Sequence, residues 1–320
     1  MHLNSVGLHW LRRYAVFVAC CTFALVIAGA MVASNDAALS VPDWPLSWGH
    51  LVPTLEGGIR YEFAHRVAAM LVGLLTVGLA MWMQVRRSLP NGRGSDSSTA
   101  LRTDTRLSPQ FEPLQSEPRP SGSATRLAWA AVAVVVLQAA LGGVAVRFVI
   151  PAWATIAHAS LGQLFFAIMV AICVRLYAPV DGTWAAPTLI CTLALFAQTV
   201  LGAGVRYGVV APVVHIVGAV LATMLVMWVG LSVLIRYADD PRLRRPAMLL
   251  LSITFSQVFL GIAAMTARIV YADAPQPMPV LVLFTVAHVA VGSLALGASV
   301  ALAMLLRLDV SLPHGGQVTA

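Results

Sequence analysis

Residues 154–176 read ATIAHASLGQLFFAIMVAICVRL. The stretch carries one formal charge, Arg175 at its end, and one imidazole, His158, near its start. An apolar run of about 20 residues is long enough to cross a bilayer as a helix. Helices and closed barrels are the only spanning forms that satisfy their own backbone. A titratable ring in hydrocarbon costs free energy, so an intramembrane histidine is a functional residue by default. The same design recurs at 62–84 with His65, at 212–236 with His215 and at 280–306 with His288. Between these lie apolar runs without histidine at 14–34, 125–147, 185–206 and 246–268. The chain is predicted to be an all-α polytopic membrane protein with eight transmembrane helices.

The composition leaves no soluble reading. Of 320 residues, 59% are hydrophobic and only 10% charged, against roughly 25% charged in soluble domains. All 20 basic residues are arginine, and the net charge is +7. Such a balance could indicate nucleic acid. The arginines cluster between the spans, however, where charge sets topology, and no nucleic-acid partner is expected. One set of connections holds fifteen arginines and the other holds Arg60, Arg66, Arg147, Arg206 and Arg268. The positive-inside rule therefore predicts cytoplasmic termini. The first apolar run is longer than a signal-peptide core and is read as an uncleaved helix. Cys20, Cys21, Cys173 and Cys191 fall inside predicted helices, where cysteine behaves as a small apolar residue.

Three odd-numbered helices share a pattern, Q-x-x-L-G, at Gln138–Gly142, Gln198–Gly202 and Gln257–Gly261. Each is followed by an arginine, Arg147, Arg206 or Arg268, then a short loop and a histidine-bearing helix. The first helix has a weaker version at Ala28-Gly29. The chain thus reads as four odd–even hairpins forming two pseudo-symmetric four-helix bundles. Residues 1–87 would hold the first two helices with an outer loop over 35–61. Residues 88–124, rich in Pro, Ser, Gly and Arg, would form a disordered cytoplasmic linker. Residues 125–180 would complete the N-terminal bundle, 181–308 would form the C-terminal bundle, and 309–320 a cytoplasmic tail.

All four histidines are the fourth to ninth residue of their predicted helices, at the outer end. At about 1.5 Å per residue that is a depth of roughly 6–13 Å. A single buried histidine is more often a hydrogen-bonded core residue than a ligand. Four in register favour haem ligation, with His65 and His158 facing one iron and His215 and His288 another. Gly162, Gly218 and Gly292 follow their histidines by three or four residues and so share the ligand's face. There they would let a flat macrocycle approach; ordinary helix packing is the alternative. Arg147, Arg206 and Arg268 could hold haem propionates or snorkel to headgroups.

Glu62 precedes His65 by three residues. A Glu-x-x-His di-iron site would need further carboxylates from facing helices, and the spans supply none. Glu62 is either a helix-N-terminal glutamate favoured by the dipole or a proton-handling group beside the N-terminal iron. The C-terminal pair has no counterpart, which suggests that one bundle does chemistry and the other stores or passes electrons. The same histidines would also serve a di-haem electron-transfer protein or a haem carrier or assembly factor.

The run Tyr61-Glu62-Phe63-Ala64-His65-Arg66 resembles the E-x-x-H-R signature of haem A synthases. The preceding stretch 39–50, with Asp43-Trp44-Pro45 at its centre, resembles that family's first outer loop. The Q-x-x-L-G repeats and the histidines match as well, and the likeness covers all but the linker. It implies a bacterial inner-membrane oxidoreductase that converts the C8 methyl of haem O to a formyl group through hydroxylated intermediates. The product, haem A, serves terminal oxidases. It further implies that His215 and His288 bind haem b, that His65 and His158 hold the substrate haem O, and that Glu62 is needed for the oxidation. Implied partners are the haem O synthase, a quinone or other electron carrier, and membrane lipid; lipid-facing small residues could support a homo-oligomer. Many bacterial members carry a cysteine pair in the first outer loop. Here Ser40 or Val41, and Ser47, stand at those positions, so either the electron route differs from that of cysteine-bearing relatives or the loop is held by Trp44, Trp48 and its prolines instead.

Overall fold

The structure is a computed structural model that describes residues 3–41, 43, 46–47, 49–88, 121–147, 152–178 and 185–307. Most of the predicted linker, the loop residues Trp44 and Trp48 with their prolines, and the predicted tail lie outside the described residues. Eight helices follow in order: α1 (Leu3–Ser34), α2 (Ile59–Ser88), α3 (Gly122–Arg147), α4 (Ala152–Tyr177), α5 (Ala186–Arg206), α6 (Pro212–Arg236), α7 (Pro241–Val270) and α8 (Pro279–Leu305). Each is long and apolar enough to cross a membrane. The chain is a multi-pass, all-helical membrane protein.

Helix ends follow local chemistry. Pro212 and Pro279 open α6 and α8 at the first helical position, where a missing N–H costs nothing. α7 begins five residues before the expected 246. Asp240 caps it, its carboxylate accepting from Arg242 N at 2.8 Å, and Pro241 follows as first residue. Pro246 then lies inside the helix. α3 starts at Gly122, inside the stretch expected as linker, with Ser121 Oγ accepting from Ala124 N at 3.3 Å.

α1, α2, α3 and α4 close into one ring, each touching the next and α4 returning to α1. α5, α6, α7 and α8 close into a second ring the same way. The rings join through α1 and α4 on one side and α5 and α8 on the other. This is the arrangement expected of two four-helix bundles. In neither ring do the diagonal helices, α2 with α4 or α6 with α8, approach one another directly.

Packing is uneven along each bundle. The N-terminal core gathers Leu11, Val18, Leu79, Met83, Met169 and Ile172. The C-terminal core gathers Val226, Val229, Val233, Leu250 and Leu302. Both lie at the end where even helices finish. Several buried hydroxyls return to the backbone four residues earlier, as Thr22 to Val18 O, Thr76 to Val72 O and Thr254 to Leu250 O, which satisfies them within their own helices. The opposite end, where even helices begin, is less tightly packed, and all four histidines sit there, half-buried.

Candidate haem-binding site

His65 and His158 stand on the diagonal helices α2 and α4. Their ring centres are 6.4 Å apart and their planes 77° apart. His215 and His288, on α6 and α8, repeat the arrangement at 6.3 Å and 86°. Imidazoles donating to one metal place each nitrogen about 2.0–2.1 Å away and each ring centre about 1.1–1.2 Å further, which sums to about 6.2–6.6 Å between centres. Both pairs meet that value. Edge-to-face aromatic contacts also span about 4.5–7 Å. A contact between rings, however, would leave their nitrogens unsatisfied, and Nδ1 of all four histidines is buried without a hydrogen-bond partner. Buried polar atoms of that kind call for an explanation such as a ligand.

Two protein ligands per site also suit a macrocycle that supplies the remaining donors. Among the described residues, no three His, Cys, Asp or Glu side chains meet in a cluster able to hold a bare metal ion.

The glycines of the repeats face the rings. A Cβ at Gly29, Gly142, Gly202 or Gly261 would lie 3.2, 3.7, 3.2 or 3.0 Å from Cε1 of His65, His158, His215 or His288 respectively. Each odd helix thus gives its hairpin partner's imidazole a place to lie. The glycines on the even helices do something other than expected. Gly162, Gly218 and Gly292 receive the side-chain amides of Gln138, Gln198 and Gln257, so they make room for glutamine rather than for a macrocycle. The Q-x-x-L-G spacing is a reciprocal fit. Glutamine lies on the even-helix glycine, and one turn on, the odd-helix glycine lies against histidine. The sequence showed the repeat but not this pairing, because the facing residue belongs to the other helix.

Glu62 is buried in the first turns of α2. One oxygen pairs with Arg66 Nη2 at 2.6 Å; the other accepts from Val41 N at 2.9 Å. Arg66 donates further to the carbonyls of Val41 at 2.9 Å, Asp43 at 2.7 Å and Leu46 at 3.2 Å. Together they fasten the loop after α1 onto the helix that carries His65. A short antiparallel bridge between Ser47 and His50 closes the loop tip, with Gly49 at φ +71°. The fastening is thus an ion pair and its carbonyl contacts. It gives Arg66 a role at the sparsely charged end of the helices.

The other predicted arginines are dispersed. Arg206 donates to Ala33 O and to Asp36 Oδ1, the latter at 3.1 Å, tying the end of α5 to the end of α1 across the two bundles. Arg268 is exposed at the end of α7. Arg147 ends α3, and its side chain lies outside the described residues.

Eight membrane helices among the described residues, in two rings that each carry a diagonal pair of imidazoles at metal-bridging separation, define the class: a multi-pass membrane protein of paired bundles. Comparison with known proteins points to one family within that class. Three relatives named haem A synthase match. That of Halalkalibacterium halodurans is 38% identical over 68 residues, 21% of this chain and 22% of the relative. That of Symbiobacterium thermophilum is 38% identical over 66 residues, 21% of each chain. That of Exiguobacterium sibiricum is 34% identical over 79 residues, 23% of this chain and 27% of the relative. The matched part spans about a fifth to a quarter of these curated relatives. No family model matches the chain. The matches support the haem A synthase family, in agreement with the E-x-x-H-R resemblance.

Proposed function

We propose that the chain is a haem A synthase. His65 and His158 hold the substrate haem O, and His215 and His288 hold a resident haem b that passes electrons. Both termini face the cytoplasm of a bacterial cell, and the histidines lie near the outer face of its inner membrane. The observation that carries the reading is an asymmetry: two imidazole pairs of closely similar span, of which, among the described residues, the N-terminal one alone has a buried carboxylate a turn away on the same helix.

Oxidising a methyl to a formyl group with water as oxygen source releases four electrons and four protons. Held by His215 and His288, haem b would supply a redox centre for the electrons, and a quinone or another carrier would take them up. The protein's own part is to hold and shield. The diagonal histidines orient the substrate. The loop fastened by Glu62 and Arg66 covers that end of the N-terminal bundle. Glu62, one turn from His65, is the carboxylate proposed to receive protons released in the oxidation. Arg147, Arg206 and Arg268 stand near the same end, where propionates would emerge; Arg206 can serve them only by giving up Asp36.

One observation favours a second reading. Both Glu62 oxygens are engaged by the loop, which suits a purely structural carboxylate and hence a di-haem electron-transfer protein. Expression with a haem O supply, followed by pigment extraction, separates the two. A synthase yields haem A or its hydroxymethyl precursor together with haem b. Glu62→Ala and His65→Ala should then keep haem b and lose the product. Fully loaded wild-type protein that returns haem O unchanged refutes the proposal.

A further inference from the structure

Resting on the haem-binding reading above, we infer that Gln138, Gln198 and Gln257 are positioning residues for His158, His215 and His288. By the same logic His65, whose hairpin lacks the glutamine, is the loosely held ligand at which a bound tetrapyrrole is exchanged.

Each glutamine engages the histidine of its own hairpin or the turn beside it. Gln138 Nε2 donates to His158 O at 2.8 Å. Gln257 Nε2 lies 3.3 Å from His288 Nε2. Gln198 lies on Gly218, three residues past His215. The carboxamide oxygens of all three are buried and unpaired, as is Nδ1 of each histidine. Gln257 faces Nε2 of His288, so exchanging the two ends of its amide by rotation turns the oxygen to that ring N–H and leaves Nδ1 to a ligand. Gln138 instead holds its hairpin at the His158 carbonyl. A ligating histidine regularly donates its other ring N–H to such an acceptor, which fixes the ring and raises its basicity.

Hairpin 1 departs from this on both sides. The position four residues before Gly29 is Leu25, and the positions three and four after His65 are Ala68 and Ala69. Leu25 packs against the N-terminal core, so it offers no hydrogen bond. Glutamine and its glycine seat are absent together, and they are absent from the bundle that must load and release a tetrapyrrole if it holds the substrate.

The full-length protein, purified with its haems, tests this. Gln257→Met keeps length without hydrogen bonding, and Gln257→Glu keeps an oxygen acceptor. The Met variant should raise the midpoint potential of the C-terminal haem and speed its loss to apomyoglobin by about 10–100-fold; the Glu variant should restore retention and return the potential to the wild-type value or below. In the gain-of-function arm, Leu25→Gln with Ala69→Gly should slow loss of the N-terminal haem by a similar factor. An unchanged potential and loss rate in Gln257→Met overturns the positioning role. If the Met variant loses its haem entirely, rescue by Glu supports the role and failure of rescue overturns it. Unchanged or faster loss in the double variant overturns the exchange role of His65. Loaded wild-type protein with indifferent glutamines sinks this inference alone, whereas wild-type protein unable to bind haem sinks the functional reading as well.

Discussion

The four histidine-facing glycines make a graded series. Carbon atoms pack best at about 3.5–4.0 Å. A methyl added at Gly261 would stand 3.0 Å from His288 Cε1, so the ring must retreat by about 0.5–1.0 Å. Metal–ligand distances tolerate only about ±0.2 Å, and over-packing of this kind costs about 1–3 kcal/mol. That corresponds to roughly 5–150-fold weaker haem binding at about 1.4 kcal/mol per decade. At Gly202 and Gly29 the distance is 3.2 Å, giving a smaller push on His215 and on His65 respectively. At Gly142 it is 3.7 Å, an ordinary contact. There the usual helix gain of Ala over Gly, about 0.5–1 kcal/mol, is expected to leave the protein no less stable. Haem content and the reduced-minus-oxidised spectrum of each purified Gly→Ala variant provide the assay. Gly261→Ala should lose most of the C-terminal haem, Gly202→Ala less of it, Gly29→Ala should affect the N-terminal haem alone, and Gly142→Ala should match wild type. A uniform loss across all four, or a damaged Gly142→Ala beside an intact Gly261→Ala, would refute the idea that these glycines seat the rings.

Two further outcomes follow from the charged contacts. Arg66→Ala removes an ion pair and three carbonyl contacts and leaves Glu62 buried without its cation, a change of about 3–5 kcal/mol for a buried pair. Limited proteolysis should cut within 37–56 far faster than in wild type, with the C-terminal haem spectrum unchanged; an uncut loop would show that Arg66 does not hold it. Arg206→Ala loses the Ala33 carbonyl contact and a largely exposed pair with Asp36, for about 1–2 kcal/mol in all. It should lower the thermal midpoint slightly while both haems stay bound, and loss of either haem would instead assign Arg206 to a propionate.

The parts legible in the sequence are those that the bilayer dictates. Eight spans had to be apolar over bilayer length, and four imidazoles could be seen because such groups are rare in hydrocarbon. Their pairing across diagonals followed from alternation along the chain. What escaped was carried by backbone atoms or by facing helices. Arg66 and Arg206 bind carbonyl oxygens, which have no sequence signature, so Arg206 looked like a candidate for a headgroup or propionate and Arg66 stood out only as an arginine on the sparsely charged side. The even-helix glycines looked like clearance for a macrocycle, since nothing local reveals that a glutamine comes from the neighbouring helix. The start of α7 could have been found: Asp240-Pro241 is a capping residue followed by proline at the first helical position. The arginines after it suggested a loop.

The position of Glu62 bears on why one bundle, rather than both, would carry chemistry. A carboxylate buried at this depth needs a cation nearby or it neutralises, and Arg66 on the next turn supplies it. The same arginine then has donors left over, and they go to loop carbonyls. Charge at this site and coverage by the loop are therefore one structure: a carboxylate cannot be installed here without a guanidinium, and the guanidinium fastens the loop. The C-terminal pair has neither feature, and its three contacts with repeat residues — Gly202 and Gly261 at the rings, Gln257 beside His288 — hold imidazoles without adding charge. Glu62→Gln separates the two functions. It keeps an acceptor for Val41 N while abolishing the ion pair. Should product formation persist at the wild-type rate in that variant with the loop still protected, the carboxylate serves coverage alone, and the protons of the oxidation leave by another group.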